Sequence, residues 1–280
     1  MKKFVCTQPY TLRDFTDAVY PQGSFCLASL LREKDIKVNG VRVNKNVELK
    51  EGDEVVYYTT PAQESARTHE VVYVDENVLI ADKFSGVSSE GLCSELNMSG
   101  KFFAVHRLDR NTEGLIVYAV NEEAFERLKE AFKAHGVQKI YIAVCKNAFK
   151  TDKKTLTGYI KKDASAAKVR VYDSPSSGLL KIVTEYAVKE DWGELALVDI
   201  VLHTGRTHQI RAHMAHIGCP VLGDNKYGDE ALNGKYSLSR QCLVAKRLKF
   251  LSLDGELKYL NGKTFESRFS FKRENFVKGD

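Results

Sequence analysis

Three short segments of the 280-residue chain combine residue types that can do chemistry. The first, His106-Arg107-Leu108-Asp109-Arg110-Asn111-Thr112-Glu113-Gly114, sets a carboxylate between two guanidinium groups immediately before an apolar strand. A neighbouring opposite charge lowers a carboxylate pKa, so Asp109 is expected to stay ionised and ready as a nucleophile even when partly buried. The same pattern also fits a structural ion pair or a turn-forming aspartate. The second segment, Leu202 through His213, joins a Gly-containing turn to the start of a helix. Arg206 falls in the entering turn near the positive end of the helix dipole, and His208 and Arg211 share a face off the apolar stripe of Ile210, Met214 and Ile217, which makes an anion-facing surface. In the third, Lys139-Ile140-Tyr141-Ile142-Ala143-Val144, period-two alternation puts an ammonium and a phenol on the face opposite Ile140, Ile142 and Val144.

Four of the seven histidines (His203, His208, His213 and His216) crowd into or just beyond the second segment. Their spacing is not His-Glu-x-x-His and no Cys-x-x-Cys pair accompanies them, so solvated or hydrogen-bonded histidines are expected rather than a metal site.

These groups need elements to hold them. Residues 12 to 58 carry two helix-like stretches, broken at Pro21-Gln22-Gly23 with Ser24 as the cap of the second, then strand-like alternation around Asn39-Gly40 and a further strand at Val55 to Tyr58. Residues 59 to 66 lack a large apolar side chain and read as a solvated linker. Beyond it, strand-like segments at Val71 to Val74, Val78 to Ala81, Leu115 to Ala119, Lys139 to Val144 and Ala196 to Leu202 mix with few helices, an α+β pattern. One helix is well marked by the Asn121 cap, the acidic first turn Glu122-Glu123, the stripe of Phe125, Leu128 and Phe132, and Gly136 as its closing residue.

Composition bounds the rest. With 43% hydrophobic and 28% charged residues the chain is neither natively unfolded nor fibrous, and 42 Lys plus Arg against 37 Asp plus Glu give a net charge of +5 that permits an anionic partner without identifying one. The six scattered cysteines read as reduced thiols. The N-terminus lacks a signal-peptide core and no apolar run approaches the roughly 18 residues of a membrane span, so a cytoplasmic location is expected.

The order of the three segments and the phrases around them resemble the RluA-type RNA pseudouridine synthases. The resemblance covers roughly residues 70 to 265 and runs through Val72 to Asn77, Lys83-Phe84-Ser85-Gly86, His106 to Arg110, Lys139-Ile140-Tyr141, Thr204 to Arg211, Gly223 to Gly228 and Arg247 to Phe250. Residues 12 to 58 are similar to the small RNA-binding module shared by a ribosomal protein of the small subunit and many pseudouridine synthases, through Val38-Asn39-Gly40 and Lys50-Glu51-Gly52-Asp53. Residues 1 to 60 hold nine basic and eight acidic side chains, a net of +1. Three positions depart from the pattern: Phe84 where Pro usually follows the Lys, Glu113 where a small hydroxyl residue usually sits, and Leu243-Val244-Ala245 without the customary His.

The resemblance implies an α+β chain. A small RNA-binding-like domain (1 to 60) and a linker (61 to 69) would precede a catalytic domain (70 to 280) with a mixed, largely antiparallel sheet flanked by helices and loops. It implies isomerisation of uridine within RNA, with no metal and no cofactor. Asp109 would be the catalytic aspartate, Arg206 its salt-bridge partner and Tyr141 the base for the C5 proton. Arg107 would fill the gap left by the flipped uridine, and Arg110, Lys139, His208 and Arg211 are expected to contact substrate. The implied partner is ribosomal or transfer RNA, with the uridine in a loop or stem-loop, and the chain is expected to be a monomer without membrane contact. The alternative is a non-catalytic RNA-binding or ribosome-assembly factor on the same fold.

Overall fold

The computed structural model describes residues 1–163, 168–238 and 240–276. Contacts divide the chain into two compact units, residues 1–111 with 116–126, and residues 112–115 with 127–280. The stretch expected to be a linker, residues 61 to 69, therefore lies inside the first unit.

The first unit opens with β1 (Lys2–Val5), β2 (Tyr10–Thr11), α1 (Leu12–Val19) and α2 (Pro21–Arg32). Thr11 caps α1 by accepting the Asp14 N–H at 3.2 Å. The second helix begins at Pro21, three residues before the expected Ser24 cap, because proline's missing N–H costs nothing at a helix start. Ser24 instead lies buried and donates to Asp17. Strands β3 (Ile36–Val38) and β4 (Val41–Val43) form the expected hairpin, with Asn39 and Gly40 at φ 48° and 81°. They are followed by β5 (Glu48–Leu49), which pairs with β2, and β6 (Glu54–Tyr57). The order β1-β6-β3-β4 makes a sheet whose inner face, with α1 and α2, buries Leu12, Phe15, Leu27, Leu30, Ile36, Val55 and Tyr57.

The stretch read as a linker carries a short helix. Residues 61–64 form α3 (Pro61–Glu64), closed by a capping box in which Thr60 Oγ1 accepts from Gln63 N–H and Gln63 Oε1 accepts from Thr60 N–H. Tyr20 and Thr59 both donate to the Glu64 carboxylate. The Thr-x-x-Gln chemistry and one acidic side chain thus order a stretch that has no apolar residue to bury. Next come the antiparallel pair β7 (His69–Val74) and β8 (Val78–Lys83), α4 (Ser89–Leu96) and β9 (Phe103–Ala104). Phe84, the departure from the family pattern, uses its N–H to donate to Thr68 O at 2.9 Å, a bond that proline could not make.

Two elements run through both units in sequence. Strand β10 (Glu113–Ala119) pairs through Tyr118 and Ala119 with β9 in the first unit, and through Glu113 and Gly114 in parallel with Val244 and Ala245 in the second. Gly114 sits at φ +109°, and a Cβ there would meet Ala245 O at 2.3 Å, so only glycine allows the pairing. Helix α5 (Glu122–Lys133) is capped as expected, with Asn121 Oδ1 accepting from Ala124 N–H at 2.8 Å. The left-handed residue at its end is His135 (φ 61°) rather than Gly136.

The second unit carries β11 (Val137–Lys146), β12 (Lys153–Asp163), β13 (Lys168–Tyr172), β14 (Leu180–Asp191), β15 (Leu195–Leu202), α6 (Gln209–His216), α7 (Glu230–Lys235), β16 (Leu243–Phe250) and β17 (Thr264–Glu266). The strand order β13-β12-β14-β15-β11-β16 is antiparallel throughout, and the parallel contact of β10 with β16 makes the sheet mixed. Val144, Leu195, Leu197, Leu222, Leu232 and Cys242 form a core cluster. Together these elements make an α+β fold. Among the described residues no helix is long and apolar enough to cross a membrane.

Candidate active site

Asp109 lies in the loop between β9 and β10, half-buried, and the backbone on both sides of it is bonded. On one side, Ser89 Oγ donates to Leu108 O at 3.0 Å and accepts from Leu108 N–H at 2.9 Å. On the other, Arg110 O accepts from Gly86 N–H at 3.0 Å and from Lys83 Nζ at 3.0 Å. Lys83 is fully buried, and two more carbonyls, Val87 O at 2.8 Å and Phe84 O at 3.1 Å, satisfy its remaining donors. A buried ammonium is tolerated only with such complete partnering. His106 accepts from Val117 N–H at 3.0 Å, which ties the start of the loop to β10.

The two arginines beside Asp109 go separate ways. Arg107 is exposed and pairs at 3.3 Å with Glu90, itself exposed. Arg110, expected to contact substrate, turns into its own unit: Nη2 donates to Asp17 Oδ2 at 2.5 Å and Nη1 to Ser24 Oγ at 2.9 Å. These donors go to protein acceptors within its own unit.

In the second unit, the turn between β15 and α6 is built around Gln209. Its buried amide accepts from Arg206 N–H at 3.0 Å and Thr204 Oγ1 at 2.8 Å, and donates to Val183 O and Thr184 Oγ1, each at 3.0 Å. This leaves the Arg206 side chain exposed at the turn. His208 has φ 54° and lies at 2.9 Å, through Nδ1, from the Tyr227 hydroxyl, and the Arg211 guanidinium lies 5.3 Å over the same Tyr227 ring. His208 and Arg211 therefore meet, as expected, but at Tyr227 rather than on an open anion-facing surface.

Arg211, also expected to contact substrate, turns into the protein. It is buried in a two-point pair with Asp224, Nε to Oδ2 at 2.7 Å and Nη2 to Oδ1 at 2.8 Å. Burial pushes the Asp224 carboxyl up, but the Arg211 bonds and the N–H groups of Lys226 and Tyr227 outweigh it and hold the carboxyl below the usual aspartate range. Helix α6 is consequently buried over most of its circumference, Gln209 to Met214 without a break, instead of along one apolar stripe.

Lys139 and Tyr141 stand on β11 where its pairing with β16 shifts register, Ile140 opposite Arg247 and Tyr141 opposite Ala245. The bulge and the cover over both faces end the expected alternation: Tyr141 is as buried as Ile142, and the run from Tyr141 to Cys145 is buried throughout. Lys139 is half-buried, and desolvation holds its ammonium below the ordinary lysine range. Its Nζ lies 5.8 Å over the Phe132 ring, and a Cβ placed on Gly205 would come within 3.2 Å of it, so the turn that carries Arg206 closes over this cation.

The four clustered histidines have separate partners: His203 with Glu185, His208 with Tyr227, His213 with Thr184 and His216 with Asp173. Burial lowers His213 to about 4. Among the described residues no group of three or more His, Cys, Asp or Glu side chains is placed to hold a metal ion. Ser89, Lys83, Gln209 and Asp224 position the candidate residues and were not singled out in sequence. Lys83 and Asp224 stand inside family phrases, while Ser89 bonds a residue 19 positions away and carries no local signal.

Residues 92–216 match a family model described as RNA pseudouridylate synthase. An uncharacterized RNA pseudouridine synthase of Chlorobaculum parvum is 30% identical over 260 residues, covering 79% of each chain. Ribosomal large subunit pseudouridine synthase C of Rickettsia bellii is 29% identical over 232 residues, 72% of this chain and 77% of that protein. Among solved structures, human RNA Pseudouridylate Synthase Domain Containing 1 is similar with a TM-score of 0.57 and 25% identity, over 66% of this chain and 79% of the other.

Proposed function

The chain belongs to the RNA pseudouridine synthases, enzymes that isomerise uridine within RNA, and from that premise we propose that it acts on ribosomal RNA of the large subunit with Asp109 as its catalytic carboxylate. The reaction is redox-neutral: the N1–C1′ bond breaks, the uracil turns, C5 bonds to C1′, and the C5 proton leaves as N1 gains one. The observation that carries the assignment is the backbone clamp on Leu108 and Arg110, which fixes the main chain on both sides of half-buried Asp109 at the mouth of β10. Such preorganisation is what differential binding of a transition state needs.

In this reading Arg206 supplies the guanidinium that pairs with the aspartate, and Tyr141 takes the C5 proton. A phenol with a pKa near ~10 does this only once C5 has been acidified by bonding to the sugar. Lys139, desolvated and without a carboxylate partner among the described residues, is a cation that a substrate phosphate or carbonyl would stabilise. Arg107, exposed beside Asp109, replaces the flipped base in its stack. Residues 1 to 60 act as an RNA-docking module, residues 70 to 280 as the catalytic part, and the substrate class follows the large-subunit activity named for the Rickettsia bellii relative.

The test is a pseudouridine map of large-subunit ribosomal RNA, by carbodiimide-stop primer extension, in cells lacking the protein and complemented with wild type or Asp109→Asn. One stop should vanish in the knockout, return with wild type and stay absent with the variant. Restoration by Asp109→Asn would overturn the catalytic assignment, and an unchanged map in the knockout would overturn the ribosomal substrate.

A further inference from the structure

We propose that Asp17 and Ser24, on the two N-terminal helices, are positioning residues that set the conformation of the Asp109 loop through the Arg110 side chain. The inference rests on the reading of Asp109 as the catalytic carboxylate. Asp17 is 8% exposed on α1, where its neighbours Leu12, Phe15 and Thr16 are buried too. A carboxylate at that depth needs a cation or several donors. It has both: Arg110 Nη2 at 2.5 Å on Oδ2 and the Ser24 hydroxyl on Oδ1.

Arg110 in turn is fully engaged. Besides Asp17, its Nη1 donates to Ser24 Oγ at 2.9 Å and reaches Ser24 O and Gly86 O, each at 3.3 Å. A guanidinium held in a fork by a carboxylate, a hydroxyl and two carbonyls has one orientation, and its own backbone is fixed by Lys83 and Gly86. The residue after Asp109 is thus clamped at main chain and side chain alike, and the side-chain clamp ends 93 positions away in the module expected to dock RNA. Packing of α1 and α2 against α4 within the same unit gives that connection a rigid footing.

The consequence is that the N-terminal helices influence the rate of the chemical step and do not serve only for capture. A displacement of the catalytic carboxylate by about 1 Å costs on the order of a hundredfold in rate, so disconnecting the clamp lowers the rate constant at saturating RNA. Had Arg110 contacted RNA, its loss would weaken binding and leave that rate constant alone.

The experiment uses the full chain and ribosomal RNA labelled with tritium at uridine C5, prepared from cells lacking the protein. Single-turnover tritium release at saturating enzyme gives the rate constant, and its concentration dependence gives the RNA affinity. Asp17→Asn and Arg110→Met should lower the rate constant about tenfold to a hundredfold with affinity within about twofold of wild type. Arg110→Lys should recover part of the loss, Ser24→Ala should lose less, and the double variant should be no slower than the slower single one. Circular dichroism and thermal melts confirm that each variant is folded at the assay temperature, with Ser24→Ala and Arg110→Lys as the mild members of the set. A wild-type rate constant in folded Asp17→Asn and Arg110→Met, with Asp109→Asn inactive, overturns the clamp alone. A raised RNA dissociation constant with an unchanged rate constant overturns it in favour of an RNA contact. Full turnover by Asp109→Asn overturns the catalytic reading and the clamp with it.

Discussion

The loop that carries Asp109 and the turn that carries Arg206 share a plan in which an exposed arginine comes first and an arginine locked to an aspartate follows. Arg107 and Arg206 reach solvent, whereas Arg110 pairs with Asp17 and Arg211 with Asp224. The two locked pairs differ in depth and reach. Arg211 and Asp224 are 7% and 0% exposed in their side chains and 13 positions apart, so their pair is an internal anchor of α6 and the loop after it. Arg110 and Asp17 are 24% and 11% exposed and 93 positions apart, so theirs is a long-range tie between a loop and two helices. The difference teaches that an arginine beside a candidate site residue can be spent on holding its own loop, and that depth of burial sets how much its loss costs in stability.

That contrast predicts an ordered set of effects. The largest is expected for Arg211→Met, which strands the Asp224 carboxylate in the interior and costs about 3–5 kcal/mol. Arg110→Met, at a pair that keeps some solvent, should cost about 1–2 kcal/mol. Urea denaturation at neutral pH measures both, and equal losses at the two sites would erase the distinction.

Comparable in size to the Arg110 effect is a pH effect on α6. Burial lowers His213 from 6.5 to about 4 in the folded chain, so as pH falls the unfolded chain takes up the proton first. The stability this neutral histidine contributes is complete above about pH 6.5 and lost as pH falls toward 4, amounting to about 2 kcal/mol between pH 7 and pH 5. Denaturation midpoints at these two pH values should differ less by that amount in His213→Gln, and an unchanged difference would show that the buried polar face of α6 is not what acid attacks.

The smallest stability effects belong to the exposed pair. Arg107→Ala and Arg206→Ala should each shift unfolding by less than about 0.5 kcal/mol. If Arg107 meets the phosphate backbone on docking, its removal should reduce the slope of log affinity against log salt by about 1 in filter binding. A stability loss from either variant like that of Arg110→Met would break the plan of one exposed and one locked arginine.

Much of the fold was legible because its signals are local. The Asn39-Gly40 hairpin, the Asn121 cap of α5 and the apolar strands β8, β10, β11 and β15 follow from turn chemistry and hydrophobic runs. Strands β12 and β13 were not, because each shows solvent a polar face and few buried residues. The alternation read into β11 failed at Tyr141, where a bulge and cover on both faces replace a single open side. Thr60 and Gln63, inside the stretch read as a linker, form a reciprocal cap that hydropathy does not signal.

By itself the sequence determined the family, the α+β class and the candidates for the reacting groups, because these rest on short ordered motifs and on chemistry that each side chain carries wherever it stands. It also supplied the four arginines and the carboxylates that could pair with them. Only the tertiary structure decided which arginine faces solvent and which is consumed. The partner of Arg110 lies 93 positions away and that of Arg211 is reached by a chain reversal, and electrostatic pairing depends on distance through space rather than along the chain.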